Sequence, residues 1–470
     1  MKIKDLCINQ NKTIIEAMKT VDQAGLGIAF TVDENNKFTG VISDGDIRKA
    51  ILRGIELKTP VKEIANKSPI TSDENWNEKV IIEILKRKDV RKKMPEYGAI
   101  RIPVLNKKNE VVDILFASLQ RCESYLKSKE KIKEAKPVRR VLVVGGAGYL
   151  GSVLCRKLLK KDYFVRVLDN LTYGDEGIKN LYNHEKFEFI KGDMRDIQTV
   201  VDAVKDVDAV VHLAAIVGDP ASALDPEETI EINYFGTKLL AEICKYSQIN
   251  RFLFASTCSV YGANVNPGKL ITEESELNPV SLYAEMKLKS ENGILEISDG
   301  NFSPTILRMS TLFGKSSRMR FDLVVNILAI KALKEKKYTI FGGEQWRPNL
   351  HVSDAADAYI KCLEYPINKI RSEVFNVGSN DGNYKIIEVG RIIKNLIPDA
   401  EMIVDKENTD KRDYNVSFDK IQNYLNYKVN YTVKDGVNEI KEAVEKGKFN
   451  DYTHEKYSNY RFLTKKTNIV

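Results

Sequence analysis

Val141-Leu-Val-Val-Gly-Gly-Ala-Gly-Tyr-Leu-Gly151 decides how the rest of the chain is read. Four apolar residues in a row, three of them valine, predict a strand buried on both faces. Gly145, Gly148 and Gly151 follow at three-residue spacing, and Ser152–Lys161 then carries Leu154, Leu158 and Leu159 on one helical face. Strand, glycine turn and helix in succession suit a dinucleotide, which needs a tight turn, close backbone approach to a pyrophosphate, and N–H groups at a helix start. Tyr149 and Leu150, within the glycine stretch, join the three glycines as cofactor-binding candidates.

The next stretch, Phe164-Val-Arg-Val-Leu168, predicts a second strand, and Asp169 closes it. An acidic residue roughly 20 residues beyond such glycines is where adenosine ribose hydroxyls are read. No Lys or Arg follows in Asn170–Gly174 to meet a 2′-phosphate, so NAD is expected over NADP, with Asn170 beside it. Strands at Phe187–Lys191, Ala209–Leu213 and Arg251–Ser256 alternate with helices around Ile197–Lys205 and Thr229–Tyr246. That alternation predicts a parallel, doubly wound α/β sheet.

A length of 470 residues suggests two to four domains at about 150 residues each. The net charge of +7 is modest for that length, and its basic excess is partly local to Lys127–Arg140. No nucleic-acid partner is expected. The six cysteines form no CxxC pair and the four histidines are dispersed, which argues against a zinc site or a disulfide framework. The start is polar, with no signal-like apolar stretch. No apolar run approaches the roughly 20 residues that span a bilayer. No metal and no membrane partner are expected, and the expected setting is the cytoplasm.

The strand Arg251-Phe-Leu-Phe-Ala-Ser-Thr-Cys-Ser-Val-Tyr-Gly262 ends in hydroxyls, at the strand ends where open α/β sheets bind ligands. Further on, Tyr283 and Lys287 are four residues apart and share a helical face. A free tyrosine, with pKa about 10, is a poor base at neutral pH. A neighbouring ammonium and a cationic nicotinamide would both favour the phenolate. Such a phenolate takes a proton from a sugar hydroxyl as hydride leaves the same carbon, and Thr257 would orient that hydroxyl.

Taken together, residues Val141 to Lys448 resemble the extended short-chain dehydrogenase/reductase family, in its nucleotide-sugar epimerase and dehydratase branch. The carrying pieces are GGAGYLG at Gly145–Gly151, GDMRD at Gly192–Asp196, HLAA at His212–Ala215, INYFGT at Ile232–Thr237, STCSVYG at Ser256–Gly262, and the Tyr283/Lys287 pair. The resemblance implies that Asp193 meets the adenine, that Met194, Ala214 and Ala215 line the cofactor, and that Lys287 also holds the nicotinamide ribose beside Tyr283. It implies that Arg347, in Phe341–Asp354, clamps a sugar-nucleotide diphosphate, with Arg412 as a second clamp. His212 is read as a packing histidine and Asp354 as a helix cap.

Two departures narrow the expectation. Where family dehydratases carry Asp-Glu after the catalytic threonine, this chain has Cys258 and Ser259, and neither is an acid at neutral pH. Thr311 stands where many carbon-4 epimerases carry Asn. The stretch Arg318-Met-Arg-Phe-Asp-Leu-Val-Val-Asn326 is similar to a bacterial surface-polysaccharide subgroup that includes carbon-4 dehydrogenases. The implied activity is an NAD-dependent nucleotide-sugar oxidoreductase. An epimerase acting through transient carbon-4 oxidation, in surface-polysaccharide sugar biosynthesis, stands first. A 4-dehydrogenase or 4-ketoreductase with exchangeable NAD stands second. A dinucleotide and adenylate sensor with no activity has no need of Thr257, Tyr283 and Lys287 together. A homodimer or higher homo-oligomer is expected.

Residues 1 to about 119 contain a weak repeat. Ile3–Leu6 is echoed by Val61–Ile64, and Ile28–Asp33 with Phe38–Ile42 by Ile100–Leu105 with Val111–Leu115. Each half reads as helix, strand, polar turn, strand and helix. On Gly40-Val-Ile-Ser-Asp-Gly-Asp-Ile-Arg48, the segment resembles a pair of CBS domains, the adenine-nucleotide-sensing modules of many enzymes. The resemblance places phosphate at Ser43 and ribose at Asp46 in the first copy. Phe116 and Leu119 occupy the matching places in the second, where such a site is lost. A pair that only packs or dimerises is the alternative. The expected organisation is an α+β CBS pair at 1–120, a charged linker at 121–138, a Rossmann-type catalytic domain with a small C-terminal substrate lobe at 139–450, and a tail at 451–470.

Overall fold

The echoed halves of the N-terminal segment fold alike. In the computed structural model, which describes residues 3–24, 27–74, 99–118, 138–262, 270–407 and 412–467, the chain divides into two compact units, 1–130 and 131–470. The first unit holds two three-stranded sheets, β1 (Cys7–Asn9), β2 (Ile28–Val32) and β3 (Phe38–Ser43), then β4 (Ser72–Asp73), β5 (Ala99–Leu105) and β6 (Val111–Ser118). In each sheet the middle strand runs parallel to the first and antiparallel to the third. Both hairpins turn through an asparagine in the left-handed region, Asn36 at φ 58° and Asn109 at φ 61°, a conformation asparagine tolerates. The Asp33 and Asn106 side chains brace these turns by accepting from Asn35 N and Lys108 N, each at 2.9 Å.

Helices α1 (Ile14–Ala24) and α2 (Asp44–Leu52) flank the first sheet. The corresponding helices of the second copy, Leu119, and nearly all of the charged linker lie outside the described residues.

In the second unit β7 (Arg140–Val144) is buried as its composition predicts, with Val141 to Val144 at most 1% exposed. Val141 and Val143 face one hydrophobic core with Leu154 and Leu158, while Leu142 and Val144 face another with Val210 and Leu240. Helix α3 (Tyr149–Lys160) follows, then β8 (Phe164–Asp169), β9 (Phe187–Lys191), β10 (Ala209–His212), β11 (Arg251–Thr257) and helix α4 (Leu282–Glu296). Strand β12 (Ser303–Met309) comes next. With Val374–Val377 at one edge, the sheet order is Val374–Val377, β12, β11, β10, β7, β8, β9, all parallel. Chain order reverses at β7, which opens a crevice at the strand C-termini. This is the doubly wound sheet expected from the alternation.

The helix expected around Thr229–Tyr246 is continuous but changes pitch, with α-helix at Pro226–Ile230, a π-helical stretch at Glu231–Gly236, and α-helix again at Thr237–Tyr246. A separate core built on Phe313, Val325, Ile340, Ile393 and Val437 forms the C-terminal lobe. The segment expected as a tail contains helix Asn459–Thr467. Phe462 meets Tyr173 edge to face with ring centroids 5.7 Å apart, and Leu463 packs with Ile216 and Ala221.

Candidate active site

All the cofactor, catalytic and substrate candidates of the second unit line one cavity of about 710 Å³ at the C-terminal ends of β7, β8, β10 and β11. The glycine turn explains its floor. Gly145 has φ +85°, and a Cβ there would lie 2.6 Å from Ala214 N; one on Gly151 would lie 2.4 Å from Gly145 O. Only glycine lets β7 turn this sharply against β10. Gly148 opens α3 with no side chain capping the helix, so its first N–H groups are left for an anion. Tyr149 lines the cavity, and its phenol donates to Gly314 O at 2.6 Å and accepts from Asn326 Nδ2 at 3.1 Å.

Asp169 stands at the end of β8, where it accepts from Ala147 N at 3.0 Å and Leu171 N at 2.8 Å. Burial pushes its carboxyl above the usual range, and these two N–H groups oppose the shift. Asn170 folds onto the same loop, accepting from Thr172 N at 3.0 Å. Asp193 reaches the cavity with its carboxylate already engaged by Arg195 at 2.9 Å, which holds it below the ordinary range. Met194, Ala214 and Ala215 line the wall beside it. These features suit a dinucleotide: an uncapped helix start, a carboxylate at the second strand end, and a roomy apolar wall between them.

The reactive side chains come from two elements. Thr257 ends β11, with its Oγ accepting from Ser259 N at 3.1 Å. Tyr283 and Lys287 share a face of α4. Ser281 caps that helix by accepting from Ala284 N at 3.3 Å, and its hydroxyl donates to Asp219 at 2.7 Å. Ser290 pins α4 to the π-helical stretch by donating to Asn233 O at 2.7 Å. Asn233 in turn is bound to both backbone groups of Ile216.

The electrostatics correct one expectation. Burial raises the Tyr283 phenol pKa; Arg320 is the largest opposing influence, followed by the hydrogen bond with Thr257. Lys287 donates to Ala255 O at 2.8 Å and lies 4.7 Å from the Phe254 ring centroid.

Burial also holds Lys287 itself at about 7, partly opposed by Glu291, against an ordinary 10.5. Between about pH 7 and 10 the unfolded chain therefore carries more of this proton than the folded one. Stability contributed by Lys287 rises with pH through that window and is lost as pH falls toward 7. Urea midpoints of wild type should climb between about pH 7 and 9.5 more steeply than those of Lys287→Met; parallel curves would mean the amine titrates normally.

The substrate candidates are placed together but are not idle. Arg347 is buried, donates to Trp346 O at 2.7 Å and to Arg412 O, and lies 5.0 Å from the Tyr414 ring centroid. Arg412 pairs with Asp219 at 2.7 Å. Cys258 points into the core, its thiol donating to Arg308 O at 3.3 Å and pushed up by burial, while Ser259 lines the cavity. His212 is the packing residue expected, neutral by burial and bonded to Thr237 Oγ at 2.8 Å. Asp354 caps no helix of its own. It accepts from Asn430 N at 3.1 Å and Tyr431 N at 3.0 Å, tethering a loop 76 residues away.

Residues whose role the sequence left open or did not indicate also line the cavity: Arg318, Arg320, Asp322, Asp219 and Asn459. Arg320 pairs with Asp322 at 2.8 Å, and Asp322 accepts from Asn459 N at 2.8 Å. No spacing rule joins positions so far apart. In the first unit Ser43 and Asp46 are brought together, but by a capping box at the start of α2. Ser43 Oγ donates to Asp46 at 2.6 Å and accepts from Asp46 N at 3.2 Å. That arrangement is complete without a ligand.

Comparison with known proteins agrees with this geometry. Residues 141–378 match the NAD dependent epimerase/dehydratase family, and residues 1–53 match the CBS domain. The chain is 32% identical over 279 residues to a UDP-glucose 4-epimerase of Lactobacillus helveticus, spanning 55% of this chain and 82% of that one. It is 29% identical over 272 residues to the UDP-glucose 4-epimerase of Bacillus subtilis, spanning 53% and 79%. Among solved structures, UDP-glucuronic acid 4-epimerase from Bacillus cereus, in complex with UDP-glucuronic acid and NAD, superposes with a TM-score of 0.58 at 27% identity, covering 65% of this chain and 99% of that one. Among the described residues, no helix is long and apolar enough to cross a membrane.

Proposed function

The chain belongs to the NAD-dependent epimerase/dehydratase family, and from that premise we propose that it epimerises a nucleotide sugar by transient oxidation at carbon 4. The observation that carries this reading is the convergence of Thr257, Tyr283 and Lys287 with the glycine turn and Asp169 on one cavity. NAD, when bound, supplies a hydride acceptor and a positive charge that favours the phenolate. The glycine turn, the open start of α3 and Asp169 are the groups that would hold it. Tyr283 then takes the proton of the sugar hydroxyl and Thr257 orients that hydroxyl, while Lys287 braces the pair through Ala255. Arg347 and Arg412 face the substrate's diphosphate, Arg412 by exchanging Asp219 for phosphate oxygen. Water elimination has no support, because Cys258 is buried away from the cavity and Ser259 is no acid.

The test is a panel of UDP-, GDP-, CDP- and dTDP-sugars incubated with the full-length protein and read by NMR and NADH absorbance. An inverted carbon 4 without net NADH is the expected result. Accumulated NADH would instead make the protein a 4-dehydrogenase, the second reading. A role in surface-polysaccharide synthesis, a homo-oligomeric state, and adenine-nucleotide control through Ser43 and Asp46 belong to the same proposal. Repeating the panel with AMP, ADP and ATP, while recording melting temperature and oligomeric state, addresses the last. No change in any of them would leave the CBS unit a packing module.

A further inference from the structure

We propose that Arg318 grips the pyrophosphate of the dinucleotide, closing over the glycine turn from the C-terminal lobe; this rests on the NAD reading above. Arg318 is only 4% exposed, lines the cavity, and places its guanidinium 4.7 Å from the Tyr173 ring centroid. Its Nε and Nη2 meet no hydrogen-bond acceptor among the described residues. A buried charge left so is costly, and native proteins keep one where something else completes it.

The segment leading to Arg318 is stitched to the first turn of α3, where a pyrophosphate would sit. Tyr149 donates to Gly314 O at 2.6 Å, and Ser316 Oγ donates to Tyr149 O at 2.7 Å. Ser316 Oγ also lies 2.8 Å from Ser152 Oγ, and it accepts from Arg318 N at 3.3 Å. Arg318 is thus held beside the positive end of a helix, where a cation is unfavourable by itself.

The nearby carboxylates are already committed. Asp322 pairs with Arg320 at 2.8 Å and accepts from Asn459 N at 2.8 Å, while Asp169 accepts from Ala147 N at 3.0 Å and Leu171 N at 2.8 Å. Asp322 and Asp169 attract Arg318 without hydrogen-bonding it, and a guanidinium fork without acceptors beside an uncapped helix start calls for an anion with several oxygens. Both the dinucleotide and a sugar nucleotide carry a diphosphate. Tyr173 and Asp169, which follow and end β8, place Arg318 on the adenosine side of the turn.

Titration calorimetry on the full-length protein freed of nucleotide separates the two sources, using ADP-ribose, adenosine and UDP. Arg318→Gln should weaken ADP-ribose by about 10- to 100-fold, the loss of charge-assisted hydrogen bonds. Adenosine and UDP should stay within about threefold, and Arg318→Lys should recover only part of the loss because it lacks the fork. Without ligand, Arg318→Gln should melt no lower than wild type, since a buried charge has been removed. Unchanged ADP-ribose affinity in Arg318→Gln would overturn the proposal. So would weakened UDP with ADP-ribose intact, which moves the residue to the substrate's diphosphate. Failure of wild type to bind ADP-ribose or NAD would remove the NAD reading, and the proposal with it.

Discussion

Replacing Tyr283 by phenylalanine is expected to lower turnover by about 10²- to 10⁴-fold, the range for loss of a positioned acid-base group. NAD affinity should change by less than about threefold, because the ring stays and only the hydroxyl is lost. The structure makes this a sharp test. Tyr283 lines the cavity, and its phenol hydrogen-bonds with Thr257 and is shifted upward by burial with Arg320 as its main counterweight. Ser259 and the Tyr414 phenol also line the cavity, with their hydroxyls 3.3 Å apart. Near-wild-type rates in the phenylalanine variant would identify Tyr414 as the group to test next and would withdraw Tyr283 as the base.

A second large effect is expected from Arg308→Met. Arg308 and Glu291 form an ion pair at 2.7 Å with side chains only 5% and 2% exposed. Arg308 also donates to Tyr261 Oη at 2.9 Å, Tyr261 donates to Asn376 at 2.7 Å, and Ser256 donates to Glu291. Removing the guanidinium leaves a carboxylate buried without its partner, which typically costs about 3–5 kcal/mol. The loss should appear as a lower urea midpoint with an unchanged slope. The double variant Arg308→Met/Glu291→Leu should regain most of it, since no charge is then stranded. A single-variant loss below about 1 kcal/mol would mean that water or a rearranged neighbour reaches Glu291. Activity should fall with stability, because Glu291 lies one turn beyond Lys287 on α4 and Ser256 precedes Thr257 on β11.

Much of the site was legible in the sequence because its logic is local. The glycine turn, the acid at the next strand end, and the four-residue step from Tyr283 to Lys287 are short-range patterns tied to strand and helix geometry. The partners of these residues are set by packing between distant elements. Spacing puts Lys287 on the Tyr283 face of α4, and packing supplies Ala255 O as an acceptor for its amine. Asp354 stands in the first turn of its helix, where a cap is expected, but its carboxylate accepts from Asn430 and Tyr431. Ser43 and Asp46 match a ligand motif, and the same two residues also build the capping box of α2.

Sequence alone determined which strand is central, where its turn must be glycine, and which hydroxyl and amine share a face of α4. Periodicity and steric limits act over a few residues and need no partner to be known. Tertiary structure alone decided which charges are spoken for. Arg412 rests on Asp219, Arg320 on Asp322, and Asp322 on the backbone of Asn459, while the Arg318 Nε and Nη2 meet no hydrogen-bond acceptor among the described residues. Pairings between groups up to 193 residues apart in number, as for Asp219 and Arg412, depend on how two lobes close around one cavity. Burial then sets their strength, because the low dielectric of the interior magnifies each satisfied pair and each unsatisfied one.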